Sequence, residues 1–137
     1  MTRMLFVNLP VADLDAAMAF YAALGFTNNA QFTDDTAACM AWSEAISVML
    51  LTHDKWRGFT SRPIPPPTAS EVLLALSLED RAAVDAMVEA AGRHGGRADV
   101  NPRQDLGFMY SRSLADADGH VWEAFWMDMA ALPAAGG

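Results

Sequence analysis

The chain writes one structural phrase twice. An aliphatic strand ending at Val11, an aspartate at Asp13 and an apolar helical stripe recur after Leu78, with Asp80 in the position of Asp13. A shift of 67 residues lays Ala17, Phe20, Tyr21 and Leu24 on Val84, Met87, Val88 and Ala91. Both sets have the i, i+3, i+4, i+7 spacing of a helix with one buried face. The period is too long and the copies too few for a solenoid, so the pattern predicts a duplicated module packed on itself with a cleft between the halves.

Each half reads as β-α-β-β-β. From Met4 to Val11 the alternation puts Leu5, Val7, Leu9 and Val11 on one aliphatic face and Met4, Phe6, Asn8 and Pro10 on the other. The aliphatic face should meet the following helix, capped by the Asp13 carboxylate and stopped at Gly25, which suits the left-handed residue past a helix end. Residues 25–33, 37–43 and 45–52 read as strands, the first two joined at Asp34-Asp35. The second half repeats the order. A strand over 71–78 precedes a helix over 80–94, closed by Gly95-Gly96. Strands over 97–101, 107–114 and 120–127 follow, the last two joined by the Asp116-Ala117-Asp118-Gly119 turn.

The expected organisation is a single domain over 1–128, made of modules 4–52 and 71–127. They are joined by the linker 53–70 and followed by a flexible tail at 129–137. The linker carries Pro63-Ile64-Pro65-Pro66-Pro67, a stiff extended spacer that could span one molecule or carry a half across to a second chain. The expected fold class is α+β, a curved mixed sheet around a cleft with the helices outside.

Composition narrows the partners. Nine Lys and Arg against seventeen Asp and Glu give a net charge of −8, which repels phosphate backbones and argues against nucleic acid. No apolar run approaches the roughly 20 residues of a membrane span, and no basic amphipathic helix suggests membrane attachment. With Cys39 the only cysteine there is no intrachain disulfide, and the expected compartment is the reducing cytoplasm.

Two stretches carry a family likeness. Leu9-Pro10-Val11-Ala12-Asp13-Leu14-Asp15, leading into Phe20-Tyr21 and Leu24-Gly25-Phe26, resembles the opening signature of the vicinal oxygen chelate superfamily. Asp116-Ala117-Asp118-Gly119-His120-Val121-Trp122-Glu123 resembles that superfamily's Asp-Pro-Asp-Gly-Asn-x-x-Glu ending. The superfamily includes lactoylglutathione lyase, extradiol dioxygenases, epimerases, fosfomycin-modifying transferases and bleomycin-binding resistance proteins. The resemblance implies paired modules around a cleft, often completed by a second subunit, hence a homodimer with a small-molecule ligand.

It also implies four positions for a divalent metal, which align with Phe6, Met49, Leu73 and Glu123. Strand alternation supports the placement. Phe6 lies on the mixed face of its strand, and Glu71, Leu73, Ala75 and Ser77 lie opposite Val72, Leu74, Leu76 and Leu78. Phenylalanine and leucine cannot ligate, and thioether sulfur suits hard divalent ions poorly, so Glu123 is the only good donor. The usual metal site is therefore expected to be degenerate, and the cofactor is left open. A rescue set exists in Asn8, His53 and Glu71, which could converge with Glu123.

Glu123 is the candidate catalytic residue. A carboxylate among Val121 and Phe125 on the cleft face would be desolvated toward neutrality and could move protons. The bland alternative is an ion pair with Arg112 on a neighbouring strand. The candidate ligand-binding residues are Phe6, Asn8, Met49, His53, Glu71, Leu73, Tyr110 and Phe125, the aromatic members lining an apolar slot for planar compounds. Trp122 and Trp126, opposite in phase to Glu123, are assigned to the core. Two functions stay open: a glyoxalase-like lyase or isomerase using Glu123, or a metal-independent protein of the bleomycin-resistance kind that sequesters a small aromatic or cationic compound.

Overall fold

The computed structural model describes residues 1–131. Strand β1 (Leu5–Val11) leads into helix α1 (Leu14–Leu24). Its start is fixed by the Asp13 side chain, which accepts the Ala16 amide at 3.0 Å. Its end is fixed by Gly25 at φ 111°, a left-handed conformation open to glycine without strain. Strands β2 (Thr27–Asn29), β3 (Ala37–Ala41) and β4 (Ile46–Thr52) complete the first module. Helix α2 (His53–Phe59) then starts the connection to β5 (Leu74–Ser77), and α3 (Arg81–Arg93) follows, capped by Asp80 as α1 is by Asp13. Strands β6 (Arg97–Ala98), β7 (Gln104–Asp105), β8 (Met109–Ala115) and β9 (Val121–Met127) close the second.

The strands form two mixed sheets, ordered β1-β4-β3-β2 and β5-β9-β8-β6, with β7 also on β8. In both, the first strand of the module runs parallel to the last and is left as an edge. The architecture is α+β, with one core shared by both modules. Leu9, Val11, Phe20, Tyr21, Val48 and Leu50 pack with Leu76, Val84, Val88, Leu114, Trp122 and Ala124. The helices thus cover the aliphatic face of each sheet and meet between the modules.

The polar joint between modules comes from one hairpin. Tyr21 Oη donates to Asp116 Oδ2 at 2.6 Å and accepts from Trp122 Nε1 at 3.0 Å. The Ala12 amide donates to Asp118 Oδ1, and His120 Nε2 lies 2.7 Å from the Pro10 carbonyl oxygen. Burial, with the nearby Asp116 carboxylate, pushes the Tyr21 hydroxyl well above its ordinary pKa. Burial likewise raises Asp116.

Several elements depart from the sequence expectation, among them the unexpected β7. The strand expected over 25–33 stops at Asn29, whose side chain accepts the Gln31 amide and turns the chain into a 3₁₀ turn at Ala30–Phe32. The strand expected from Glu71 begins at Leu74, where pairing with Trp122 starts, so Val72 is exposed at 55% rather than buried on the aliphatic face. The strand expected over 97–101 is only two residues, because Asp99 takes φ 54° and bends the chain away. Of the tail expected at 129–137, residues 129–131 form a 3₁₀ turn and the rest lies outside the described residues.

Candidate functional site

Strand register assigns the face of the second sheet turned away from α3. On β9, Trp122 and Ala124 face the core, with Trp126 partly buried against it, so Val121, Glu123 and Phe125 take the opposite face. On β8, Tyr110 and Leu114 face the core, which places Ser111 and Ser113 beside Phe125 and Glu123 by direct pairing. Ala75 on β5 flanks Glu123 from the other side. A cavity of about 510 Å³ opens over this surface, lined by Ser111, Ser113 and Glu123 with Asn101, Pro102, Arg103 and Gln104 from the segment that joins β6 to β7 alongside β8.

That segment is held at several points. The Asn101 amide donates to Ser113 Oγ at 2.6 Å, and Gln104 pairs with Ser111 as β7 joins β8. Asp99 accepts from Arg112 Nε and Nη2 at 3.0 and 2.7 Å, a bidentate grip on the start of the wall. Asp105 accepts from both terminal nitrogens of Arg81 at 2.9 Å, gripping its end. The Arg81 guanidinium also lies over the Tyr110 and Trp126 rings, 5.0 and 5.2 Å from their centroids.

Charges sort to opposite sides of the sheet. Arg112, 2% exposed, points to the helix side and meets Asp85, Glu89 and Asp99 at 2.7–2.9 Å. Its pKa rises, chiefly through hydrogen bonding to Asp99, while Asp99 is lowered by the same contact. Asp85 is lowered first by the Tyr110 hydroxyl, which donates to it at 2.7 Å, and then by Arg112. Glu123, partly buried, makes no ion pair or side-chain hydrogen bond within the described residues.

The alternative pairing of Glu123 with Arg112 is therefore corrected. Arg112 sits opposite Ala124, one step out of phase with the Ser113–Glu123 pair, so the two side chains emerge on opposite faces. Tyr110 is corrected for the same reason: it shares phase with Arg112 and packs on α3 at 9% exposure rather than lining the cleft.

The remaining candidates fall into separate groups. Phe6, Asn8 and Met49 share the non-aliphatic face of the first sheet, with Asn8 directly paired to Met49 and Phe6 to Ser47. His53 is the first residue of α2, beyond the end of β4. Glu71 and Leu73 are exposed and precede β5. None of these lines the cavity over Glu123, which Phe125 adjoins on its strand. Among the described residues no three or more His, Cys, Asp or Glu side chains gather closely enough to hold a metal ion. Of the four positions that the resemblance implies for a metal, Phe6, Met49, Leu73 and Glu123, only Glu123 carries an oxygen donor.

Sequence reasoning missed Ser111, Ser113, Asn101, Arg103 and Gln104. For the two serines a signal was present, since small hydroxyl residues alternate with Tyr110, Arg112 and Leu114 along β8. For the wall residues there was none, because irregular chain has no period to read.

A family model described as bleomycin resistance protein-like N-terminal matches residues 3–43, which spans β1 through β3. Among solved structures, a hypothetical protein from S. aureus is similar at 23% identity with a TM-score of 0.77, covering 92% of this chain and 94% of that one. A glyoxalase/bleomycin resistance protein/dioxygenase family enzyme from Burkholderia phytofirmans superposes at TM-score 0.73 and 18% identity, over 89% of this chain and 96% of its own. The fold is that of the vicinal oxygen chelate superfamily. TnmS3, an antibiotic binding protein from Streptomyces, shares this vicinal oxygen chelate architecture at TM-score 0.64 and 20% identity, over 93% and 97% of the two chains. No curated protein matches the sequence. No helix among the described residues is long and apolar enough to cross a membrane.

Proposed function

We propose that this chain binds a small molecule bearing a cationic group in the cleft over β8 and β9 without a metal ion, as a sequestering protein of the bleomycin-resistance kind. The observation that carries the reading is the Glu123 carboxylate: partly buried, on a cavity wall, and without a protein partner among the described residues. Its oxygens have no protein partner among those residues and are open to the cavity, where a cation or strong hydrogen-bond donor can take the place of water. The net charge of −8 draws cations toward it. Phe125, beside Glu123, supplies a flat apolar contact for a planar ligand.

The cleft is completed by a second copy. Two edge regions support this: Met4, Leu5 and Phe6 leading into and along β1, and Val72 and Leu73 before β5, each 45–58% exposed. An apolar sheet edge left open invites pairing with another chain. A homodimer joining these edges would bring Phe6, Asn8 and Met49 of one sheet toward a partner's cavity.

The second reading is proton transfer of the lactoylglutathione lyase type, with Glu123 as base, favoured by the same unpaired carboxylate. Calorimetric titration of the chelator-treated protein with benzamidine and larger planar cations separates the two. The binding reading expects saturable binding that weakens about tenfold or more in Glu123→Gln, because a hydrogen bond to a charged group is worth about 1.5–3 kcal/mol. Hemithioacetal isomerisation that depends on Glu123 would instead establish the second. Cation binding equal in both proteins overturns the first.

A further inference from the structure

Two rows of side chains cross the open face of the second sheet. Strand register builds them: Ala75, Glu123 and Ser113 in one, and Ser77, Phe125, Ser111 and Gln104 in the next. Directly paired residues project from the same side of a sheet, and successive residues of a strand from opposite sides. Asp105 fixes the phase of the last member independently. It pairs with Tyr110 and accepts from Arg81, which lies over the Tyr110 ring on the helix side, so Gln104 before it falls on the cavity side with Ser111.

The polar groups of the two rows are used differently. Ser113 Oγ accepts from the Asn101 amide at 2.6 Å and donates to the Asn101 carbonyl oxygen at 3.3 Å, so it is spent on holding the wall. Among the described residues the side chains of Ser111 and Gln104 make no hydrogen bond, although Ser111 is only 9% exposed. No fully buried side-chain polar atom among those residues is left unbonded, so the Ser111 hydroxyl opens onto the cavity that it lines. Gln104 stands exposed beside it. A hydroxyl and a carboxamide each donate and accept, and neither carries charge. They form a neutral donor–acceptor pair one row away from the Glu123 carboxylate, roughly 7 Å along the strands.

We propose that the cavity takes a cation joined to a neutral amide, with an amidinium, guanidinium or ammonium group against Glu123 and the amide against Ser111 and Gln104. Ser111 and Gln104 are then the specificity-determining residues of the site. This rests on Glu123 as the cation acceptor. A para-substituted ring sets its two ends about one row apart, and Phe125, in the row of Ser111, gives such a ring an apolar contact.

The test uses three matched probes, benzamidine, 4-methylbenzamidine and 4-carbamoylbenzamidine, titrated calorimetrically into the full chain and into Glu123→Gln, Ser111→Thr and the double variant Ser111→Ala/Gln104→Met. Circular dichroism melts check that each variant is folded. The proposal expects the carbamoyl probe to bind about fivefold or more tighter than the methyl probe, the scale of one net hydrogen bond. In the double variant the ratio of these two affinities should fall to about one, whereas Ser111→Thr, which keeps the hydroxyl, should retain most of it. If benzamidine binds through Glu123 but the carbamoyl group brings no gain over methyl, or the gain survives the double substitution, this inference fails and the binding reading stands. If Glu123→Gln leaves benzamidine binding intact, or no probe binds at millimolar concentration, both fail.

Discussion

Replacing Arg112 with methionine tests the pillar behind the cavity wall. Arg112→Met keeps the bulk of the side chain and removes the guanidinium, so packing in the core is largely retained. What is lost is the bidentate grip on Asp99 and single contacts with Asp85 and Glu89, all at 2.7–3.0 Å. Hydrogen bonds to charged groups are worth about 1.5–3 kcal/mol each when buried. Here the three carboxylates are 31–53% exposed and regain water once released, so each contact is discounted toward the surface-pair value of about 1 kcal/mol. The three together come to about 2–3 kcal/mol, or roughly 6–12 °C in Tm for a chain of this size. The loss should also depend on pH in a definite direction. Asp85 and Asp99 have folded-state pKa values below their ordinary ones, so their contribution is complete above the unfolded carboxylate pKa and is lost as pH falls through the folded values. Thermal melts of the two proteins should therefore differ fully at pH 6–7, with the gap narrowing only as pH falls below about 4. An equal gap at pH 7 and pH 3, or a variant as stable as the wild type at pH 7, refutes the reasoning.

Three further expectations follow from single contacts. Gly119→Ala should lower stability by more than about 1–2 kcal/mol, the ordinary cost of a left-handed alanine, because Gly119 has φ 85° and an added Cβ would run into the Pro67 backbone; denaturant midpoints measure it. Tyr21→Phe should cost about 1–3 kcal/mol by leaving Asp116 and Trp122 Nε1 short of a buried partner; a melt unchanged from wild type would remove the joint's energetic role. Asp105, lowered to about 2 mainly by its hydrogen bonds from Arg81, should titrate there by NMR and move up toward the ordinary range near 4 in Arg81→Gln.

Much of the fold was readable because its signals are local. Asp13 and Asp80 cap helices as their positions suggest, Gly25 takes the left-handed turn, and the aliphatic alternation of Val7, Leu9 and Val11 marks the face that packs on the core. The phase of β9 was also legible, since Trp122 and Ala124 against Glu123 alternate cleanly. On β8 it was not, because Tyr110 and Arg112 are polar-tipped residues that could face either way. The carboxylates Asp85, Glu89 and Asp99, brought from α3 and the bend after β6, settle their direction in phase with buried Leu114. The cavity wall was invisible for a related reason. Asn101, Arg103 and Gln104 acquire their positions from long-range bonds to Ser113, Ser111 and Arg112-held Asp99, none of which leaves a periodic trace.

The hairpin that carries Asp116, Asp118 and His120 has a wider consequence. It reaches Tyr21, the Ala12 amide and the Pro10 carbonyl in the other module, while its Gly119 lies under the Pro67 backbone of the connecting segment. Three separate stretches of chain are thus joined by the five residues 116–120. The second module depends on the first: cut free, it would expose a buried acid and an unmet histidine. Substitutions in either half are therefore constrained by the contacts at this turn.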